Sequence, residues 1–142
     1  MAHILVVDDE WRIREMLRML LEDVGHSVTT TAEGHAALRE IEANGLPDLI
    51  VLDLSMPEMD GWRVLDELYR SNRRDQTRVL VVTGLTNTPS TSPDALRKPF
   101  AAADLYAAVD RAFSETTHEA VARRRRLRGL CAVLRPSLPT GA

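Results

Sequence analysis

The amino-acid sequence predicts a doubly wound α/β fold, in which helices cover both faces of a five-stranded parallel sheet. Short unbroken apolar runs, rich in branched side chains, occur at residues 4–7, 49–52 and 79–82. Such runs are typical of strands that are buried on both faces. Between them the apolar residues recur with the period of a helix. Strand and helix alternate to about residue 113, which favours right-handed crossovers between parallel strands.

The first half of the chain predicts two strand–helix units. After the run at residues 4–7, apolar side chains recur at helical spacing over residues 13–24, and Gly25 is positioned to end that helix. A weaker strand at about residues 27–31 leads into a helix over about 33–44.

The second half continues the alternation. After the run at residues 49–52, Asp60 can cap a helix that begins near Gly61. The run at 79–82 gives the fourth strand, and a short segment that ends at Lys98 gives the fifth. A last helix is predicted from apolar residues at helical spacing: Leu105, Ala108, Val109, Ala112 and Phe113.

One crossover helix is missing from this pattern. Residues 85–94 contain two prolines, several hydroxyl side chains and a single large apolar residue. Such a composition predicts a loop rather than a helix. We therefore expect a loop in place of the fourth helix.

Composition indicates one globular domain without a membrane span. The chain has 142 residues, 44% of them hydrophobic and 27% charged, and no apolar run approaches the roughly 20 residues that a spanning helix needs. The start lacks the basic segment of a secretory signal, so we expect a cytoplasmic protein. The lone Cys131 cannot form an internal disulfide, and the four histidines lack metal-ligand spacing, which argues against structural zinc.

Charge divides the chain into two parts. Residues 114–142 hold two Glu and six Arg, a net charge of +4, which leaves −7 on residues 1–113 of the total of −3. We expect a domain over 1–113 and an Arg-rich extension over 114–142, partly helical or disordered. The arginines at 122–130 could neutralise nucleic-acid phosphates, but a solvated helix or disordered end is favoured. Nucleic acid is therefore not an expected partner.

Polar side chains stand where the predicted strands end. Asp8 and Asp9 follow the first strand, and Asp53, Thr83 and Lys98 end the third, fourth and fifth. In open α/β sheets, ligands bind in the crevice outside these carboxyl ends. A single acid there could be a turn residue or a helix cap, but the whole set indicates a binding site.

The three acids imply a hard divalent cation. Carboxylates in one crevice repel one another unless a cation neutralises them, and Mg²⁺ fits better than Ca²⁺ because no calcium-loop pattern is present. Thr83 and Lys98 suit the oxygens of a phosphoryl group. No Gly-rich phosphate loop occurs in the chain, so a strand-end Asp can instead accept the group as an acyl phosphate.

Four motifs in order resemble the receiver domain of bacterial two-component response regulators. They are VVDDE at 6–10, PDLIVLDLSMPEMDG at 47–61, VVTG at 81–84 and KPF at 98–100. The resemblance covers about residues 2–113. It implies the flavodoxin-like strand order 2-1-3-4-5, and a signalling domain rather than an enzyme.

The resemblance also implies roles for individual residues. Asp53 is the expected phosphoacceptor, and Asp9 and Asp53 bind Mg²⁺ directly while Asp8 assists through water. The backbone carbonyl of Ser55 completes the protein ligands. The groups expected to contact the phosphoryl oxygens are the Thr83 hydroxyl, the Gly84 amide and the Lys98 ammonium.

Two further features follow from comparison with the family pattern. The Lys98–Pro99 peptide bond is expected to be cis. Three positions before Lys98, where the family usually has an aromatic residue that turns inward with Thr83, this chain has Ala95. The aromatic half of the usual switch is therefore absent.

The sequence thus predicts a stand-alone receiver that takes a phosphoryl group from a sensor histidine kinase or a histidine phosphotransfer protein. Its output would be contact with a downstream protein or onward phosphorelay. A Mg²⁺-dependent phosphatase with an aspartyl nucleophile is the alternative, but such enzymes usually carry a second Asp where Ser55 stands. A flavodoxin-like electron carrier would need a hydroxyl- and Gly-rich loop where Asp8, Asp9 and Glu10 stand.

Overall fold

The computed structural model contains five strands and four helices among the residues it describes. The strands are β1 (His3–Val7), β2 (Ser27–Thr31), β3 (Leu49–Asp53), β4 (Arg78–Thr83) and β5 (Ala95–Arg97). The helices are α1 (Trp11–Asp23), α2 (Gly34–Asn44), α3 (Asp60–Arg70) and α4 (Ala102–Ser114). The described residues are 2–54, 60–70, 77–84, 95–114, 119 and 122.

The five strands form one sheet in the order β2-β1-β3-β4-β5, and every neighbouring pair is parallel. The predicted fold class and strand order are confirmed. The first four predicted elements, β1 to α2, have bounds within two residues of those expected, and α1 ends shortly before Gly25, whose φ of 96° suits a residue without a side chain.

A hydrophobic core lies on each face of the sheet. Along β1, Leu5 and Val7 pack on the face covered by α2 and α3, whereas Ile4 and Val6 pack on the face covered by α1 and α4. Successive side chains of a strand point to opposite faces, so a strand in the middle of this sheet must be apolar at every position. This arrangement explains the unbroken apolar runs, and in the middle strands it leaves polar residues only at the ends.

Two predictions fall on residues outside the described ones. The loop expected over 85–94 lies wholly outside them, and of the extension over 114–142 the structure describes only Ser114, Glu119 and Ala122. Among the helices that the structure describes, none has the length and apolar character needed to cross a membrane.

Candidate functional site

Three carboxylates meet at the carboxyl edge of the sheet. Asp8 and Asp9 follow β1, Asp53 ends the neighbouring β3, and one oxygen of each carboxylate lies within 4.8 Å of the others. Asp8 and Asp53 keep only 1% and 2% of their surface exposed, whereas Asp9 is exposed. The cluster therefore opens towards solvent on the Asp9 side.

Lys98 is the cationic side chain that contacts two of these carboxylates. Its Nζ donates a hydrogen bond to Asp8 Oδ2 at 2.8 Å and lies 3.4 Å from Asp53 Oδ2. Its backbone N–H donates to the Thr83 carbonyl at 2.8 Å, and the Lys98–Pro99 bond is cis, as expected. The end of β4 thus fixes the backbone from which the ammonium reaches the two buried acids.

The electrostatic environment keeps Lys98 protonated. Burial by itself lowers the pKa of the ammonium, but the hydrogen bond to Asp8 and the charges of Asp53 and Asp8 raise it by more, so the pKa lies above its ordinary value. Lys98 is also the only lysine among the chain's 18 basic residues. That composition is a sequence signal for the site which the motif analysis did not use.

The remaining predicted residues divide into three groups. Thr83 is fully buried at the end of β4, next to Gly84. Ala95 begins β5 and belongs to the core on the α2–α3 side, so a small side chain stands at the position of the family's aromatic residue. The predicted ligand Ser55 lies outside the described residues.

Two residues that the sequence analysis does not assign to the site contact the backbone of its acids. Arg14, on the first turns of α1, donates from Nη1 to the backbone carbonyl of Asp8 at 2.8 Å. Gly61, at the start of α3, faces the backbone of Asp53, and a Cβ built on it would collide with the Asp53 carbonyl oxygen. The helix α3 therefore packs directly against the residue expected to react.

We expect Gly61→Ala to destabilise the fold, because the added methyl group meets backbone rather than a flexible side chain. Overpacking of this kind costs about 1–3 kcal/mol. The free energy of unfolding in urea measures the loss. Gly84→Ala is the matched control, since a Cβ there meets no atom of the described residues within 4 Å. Equal stability of the two variants would contradict the contact assigned to Gly61.

The donor set fits a small hard cation. Carboxylate oxygens are the ligands that Mg²⁺ prefers, and three of them are available from Asp8, Asp9 and Asp53. The single ammonium of Lys98 cannot balance all three charges, and an added divalent cation would do so. The residues present thus fit the Mg²⁺ site that the sequence analysis expects.

The chain is similar to known response regulators in sequence and structure. A family model described as the response regulator receiver domain matches residues 4–110. Response regulator MprA of Mycobacterium sp. (strain KMS) is 37% identical over 113 residues, which cover 75% of this chain and 48% of that protein. The probable transcriptional regulator ycf27 of Cyanidium caldarium is 32% identical over 114 residues, which cover 75% and 44%.

Solved structures of response regulators match the fold. The receiver domain of the Francisella response regulator 1452 is 31% identical, with a TM-score of 0.68 over 80% of this chain and 97% of that one. Response regulator TrrA from Thermotoga maritima, solved in complex with Mg²⁺-BeF, is also 31% identical with a TM-score of 0.68, over 79% and 99%.

These matches define the family and its general role. The chain spans about half the length of the curated relatives it matches. Receiver domains serve in signalling by phosphorylation in two-component systems and are not generally classed as enzymes. With its parallel sheet and acidic edge, the chain belongs to the response regulator receiver family over residues 4–110.

Proposed function

We propose that the Asp53 carboxylate accepts a phosphoryl group from a sensor histidine kinase or a histidine phosphotransfer protein. The observation that carries this proposal is the position of Asp53 at the end of β3, 3.4 Å from the Lys98 ammonium and clustered with Asp8 and Asp9. An acid that served only to cap a helix would need neither a lysine nor two further acids beside it.

The transfer itself makes one bond and breaks one. An Asp53 oxygen attacks phosphorus, the bond from phosphorus to the donor's histidine nitrogen breaks, and the donor keeps that electron pair. Asp8, Asp9 and Asp53 would hold Mg²⁺, which supplies neutralisation of the charge on the phosphoryl oxygens when bound. Lys98, the Thr83 hydroxyl and the Gly84 amide would donate hydrogen bonds to the same oxygens.

Lys98 has to change partners during this reaction. Before transfer its ammonium is held by Asp8 Oδ2 at 2.8 Å and lies 3.4 Å from Asp53 Oδ2. Once Asp53 carries a phosphoryl group, the three phosphoryl oxygens hold a charge of about −1.5 to −2, in place of the single charge that the carboxylate has lost. We expect the ammonium to turn towards these oxygens, because they are negatively charged. The Lys98 backbone stays hydrogen-bonded to Thr83, so only the side chain has to move.

The output of the domain is protein contact or onward phosphorelay in our proposal, with residues 1–113 as the receiver and 114–142 as a separate extension. The charge of −7 on residues 1–113 disfavours a nucleic-acid surface there. A nucleic-acid output is the alternative, since some relatives are named transcriptional regulators. Turnover of phosphate esters by the purified protein would instead favour the phosphatase.

We expect Asp9→Ala to weaken Mg²⁺ binding by about tenfold or more, because the variant lacks one carboxylate of the cluster. Lys98→Met is the matched comparison, and we expect it to bind Mg²⁺ at least as tightly as wild type, because the ammonium competes for the carboxylates of Asp8 and Asp53. Fluorescence of the exposed Trp11, two residues from Asp9, reports the titration. Equal losses of affinity in the two variants would contradict this division of roles.

A further inference from the structure

The peptide group between the first two acids is held by a side chain from α1. Arg14 Nη1 donates to the carbonyl oxygen of Asp8 at 2.8 Å, and the Arg14 side chain is partly buried as it does so. That carbonyl belongs to the peptide that joins Asp8 to Asp9. Rotation of this peptide plane would change the direction in which Asp9 leaves the end of β1.

The backbone N–H and both carboxylate oxygens of Asp8 also form hydrogen bonds. Its backbone N–H donates to the carbonyl of Thr31 at 3.2 Å, and its Oδ1 accepts from the backbone N–H of Glu10 at 2.9 Å. Its Oδ2 accepts from Lys98. With the strand side and both carboxylate oxygens engaged, the hydrogen bond from Arg14 restrains the carbonyl, which is the part of Asp8 that leads into exposed Asp9.

We propose that Arg14 is a positioning residue that orients the Asp8–Asp9 peptide so that both carboxylates serve one cation. This inference rests on the proposed function, because it assumes that the acidic cluster binds Mg²⁺. Arg14 acts through the peptide and touches neither the cation nor the phosphoryl group. Outer contacts of this kind typically change metal affinity by about 10–100-fold when they are removed.

The sign of the effect separates positioning from simple electrostatics. Arg14 carries a positive charge next to an acidic cluster and repels other cations. Loss of that charge alone would therefore strengthen the binding of Mg²⁺. Loss of the hydrogen bond to the Asp8 carbonyl would weaken binding, because Asp9 would no longer be held towards Asp8 and Asp53. Only the positioning role predicts weaker binding.

The test is a Mg²⁺ titration of Arg14→Ala against Arg18→Ala in the full chain. Arg18 also lies on α1 and also reaches the sheet, but it donates to the Thr30 hydroxyl at 3.2 Å, so its removal takes away the same charge without touching Asp8. We expect the Kd for Mg²⁺ to rise about tenfold in Arg14→Ala and not to rise in Arg18→Ala. Binding in Arg14→Ala as tight as in Arg18→Ala would overturn the proposal.

A second measurement reports on the peptide group between Asp8 and Asp9. The amide nitrogen of Asp9 belongs to the same peptide group as the Asp8 carbonyl, so we expect its ¹⁵N chemical shift without Mg²⁺ to move in Arg14→Ala and not in Arg18→Ala. An unmoved shift would overturn the proposal. If Arg14→Ala does not fold, Arg14→Gln replaces it, since its shorter neutral side chain removes the same contact with less loss of packing.

The outcomes distinguish this inference from the function on which it rests. Absence of saturable Mg²⁺ binding in wild type would overturn the proposed function, and the role of Arg14 with it. Saturable binding in wild type, together with an unchanged or tighter Kd in Arg14→Ala, would overturn the role of Arg14 alone.

Discussion

Replacement of Asp53 by Asn is expected to abolish phosphorylation of the protein. Wild type incubated with a small acyl phosphate and Mg²⁺ should gain one phosphoryl group, whereas Asp53→Asn should gain none. The amide is a poor nucleophile, and it is also a neutral group that binds a divalent cation and the Lys98 ammonium less well. Intact-mass measurement of both proteins under the same conditions decides the matter.

The control for this experiment is a second Asp→Asn change outside the site. Asp23 is exposed at the end of α1, so Asp23→Asn should be labelled to the same extent as wild type. Asp53→Asn changes the shape of the side chain little, and its unfolding curve shows whether it stays folded. Full phosphorylation of a folded Asp53→Asn protein would show that another residue is the phosphoacceptor.

The sheet could be predicted because its middle strands obey one strong constraint. Both faces of β1, β3 and β4 are covered by helices, so every position between the ends of these strands must be apolar. The edge strand β2 has a weaker signal. It pairs on one side only, and its threonines are partly exposed, so polar residues are tolerated there and the run of apolar residues is lost.

The acids and the lysine of the site were predicted for a reason that belongs to the fold. Parallel strands all end at one edge, so polar residues that follow apolar runs must come together whatever the loops do. Asp8, Asp53 and Lys98 do so in the structure. This argument uses strand ends alone, and it therefore finds only residues that lie at them.

Arg14 and Gly61 escaped prediction because their roles depend on contacts with backbone atoms across a loop. Arg14 lies among other arginines of α1, and its spacing does not distinguish it from Arg12 or Arg18. The sequence predicts a helix that begins near Gly61, and α3 begins one residue earlier, at Asp60. The approach of Gly61 to the Asp53 carbonyl depends on how α3 packs. These contacts depend on the packing of helices against the sheet, which the order of residues in the sequence does not specify.

Removal of the Lys98 charge should cause the largest loss of stability among these variants when Mg²⁺ is absent. Lys98→Met leaves two buried carboxylates, those of Asp8 and Asp53, without their cation. Removal of one partner of a buried ion pair costs about 3–5 kcal/mol. We expect about 3 kcal/mol, at the low end of that range, because the Lys98 side chain keeps 16% of its surface exposed. Urea unfolding with a chelator at neutral pH measures the difference.

The pH dependence of that difference follows from the raised pKa of Lys98. A cation whose pKa is higher in the folded protein than in the unfolded one contributes its full stabilisation below the unfolded value of 10.5, and loses it as the pH rises through the folded value. The stability gap between wild type and Lys98→Met should therefore stay constant from neutral pH to about 10 and close above 10.5. Saturating Mg²⁺ should narrow the gap at neutral pH, because the cation neutralises the same carboxylates. If the stability difference between wild type and Lys98→Met changes neither at high pH nor with Mg²⁺, the methionine acts through packing rather than through the lost charge.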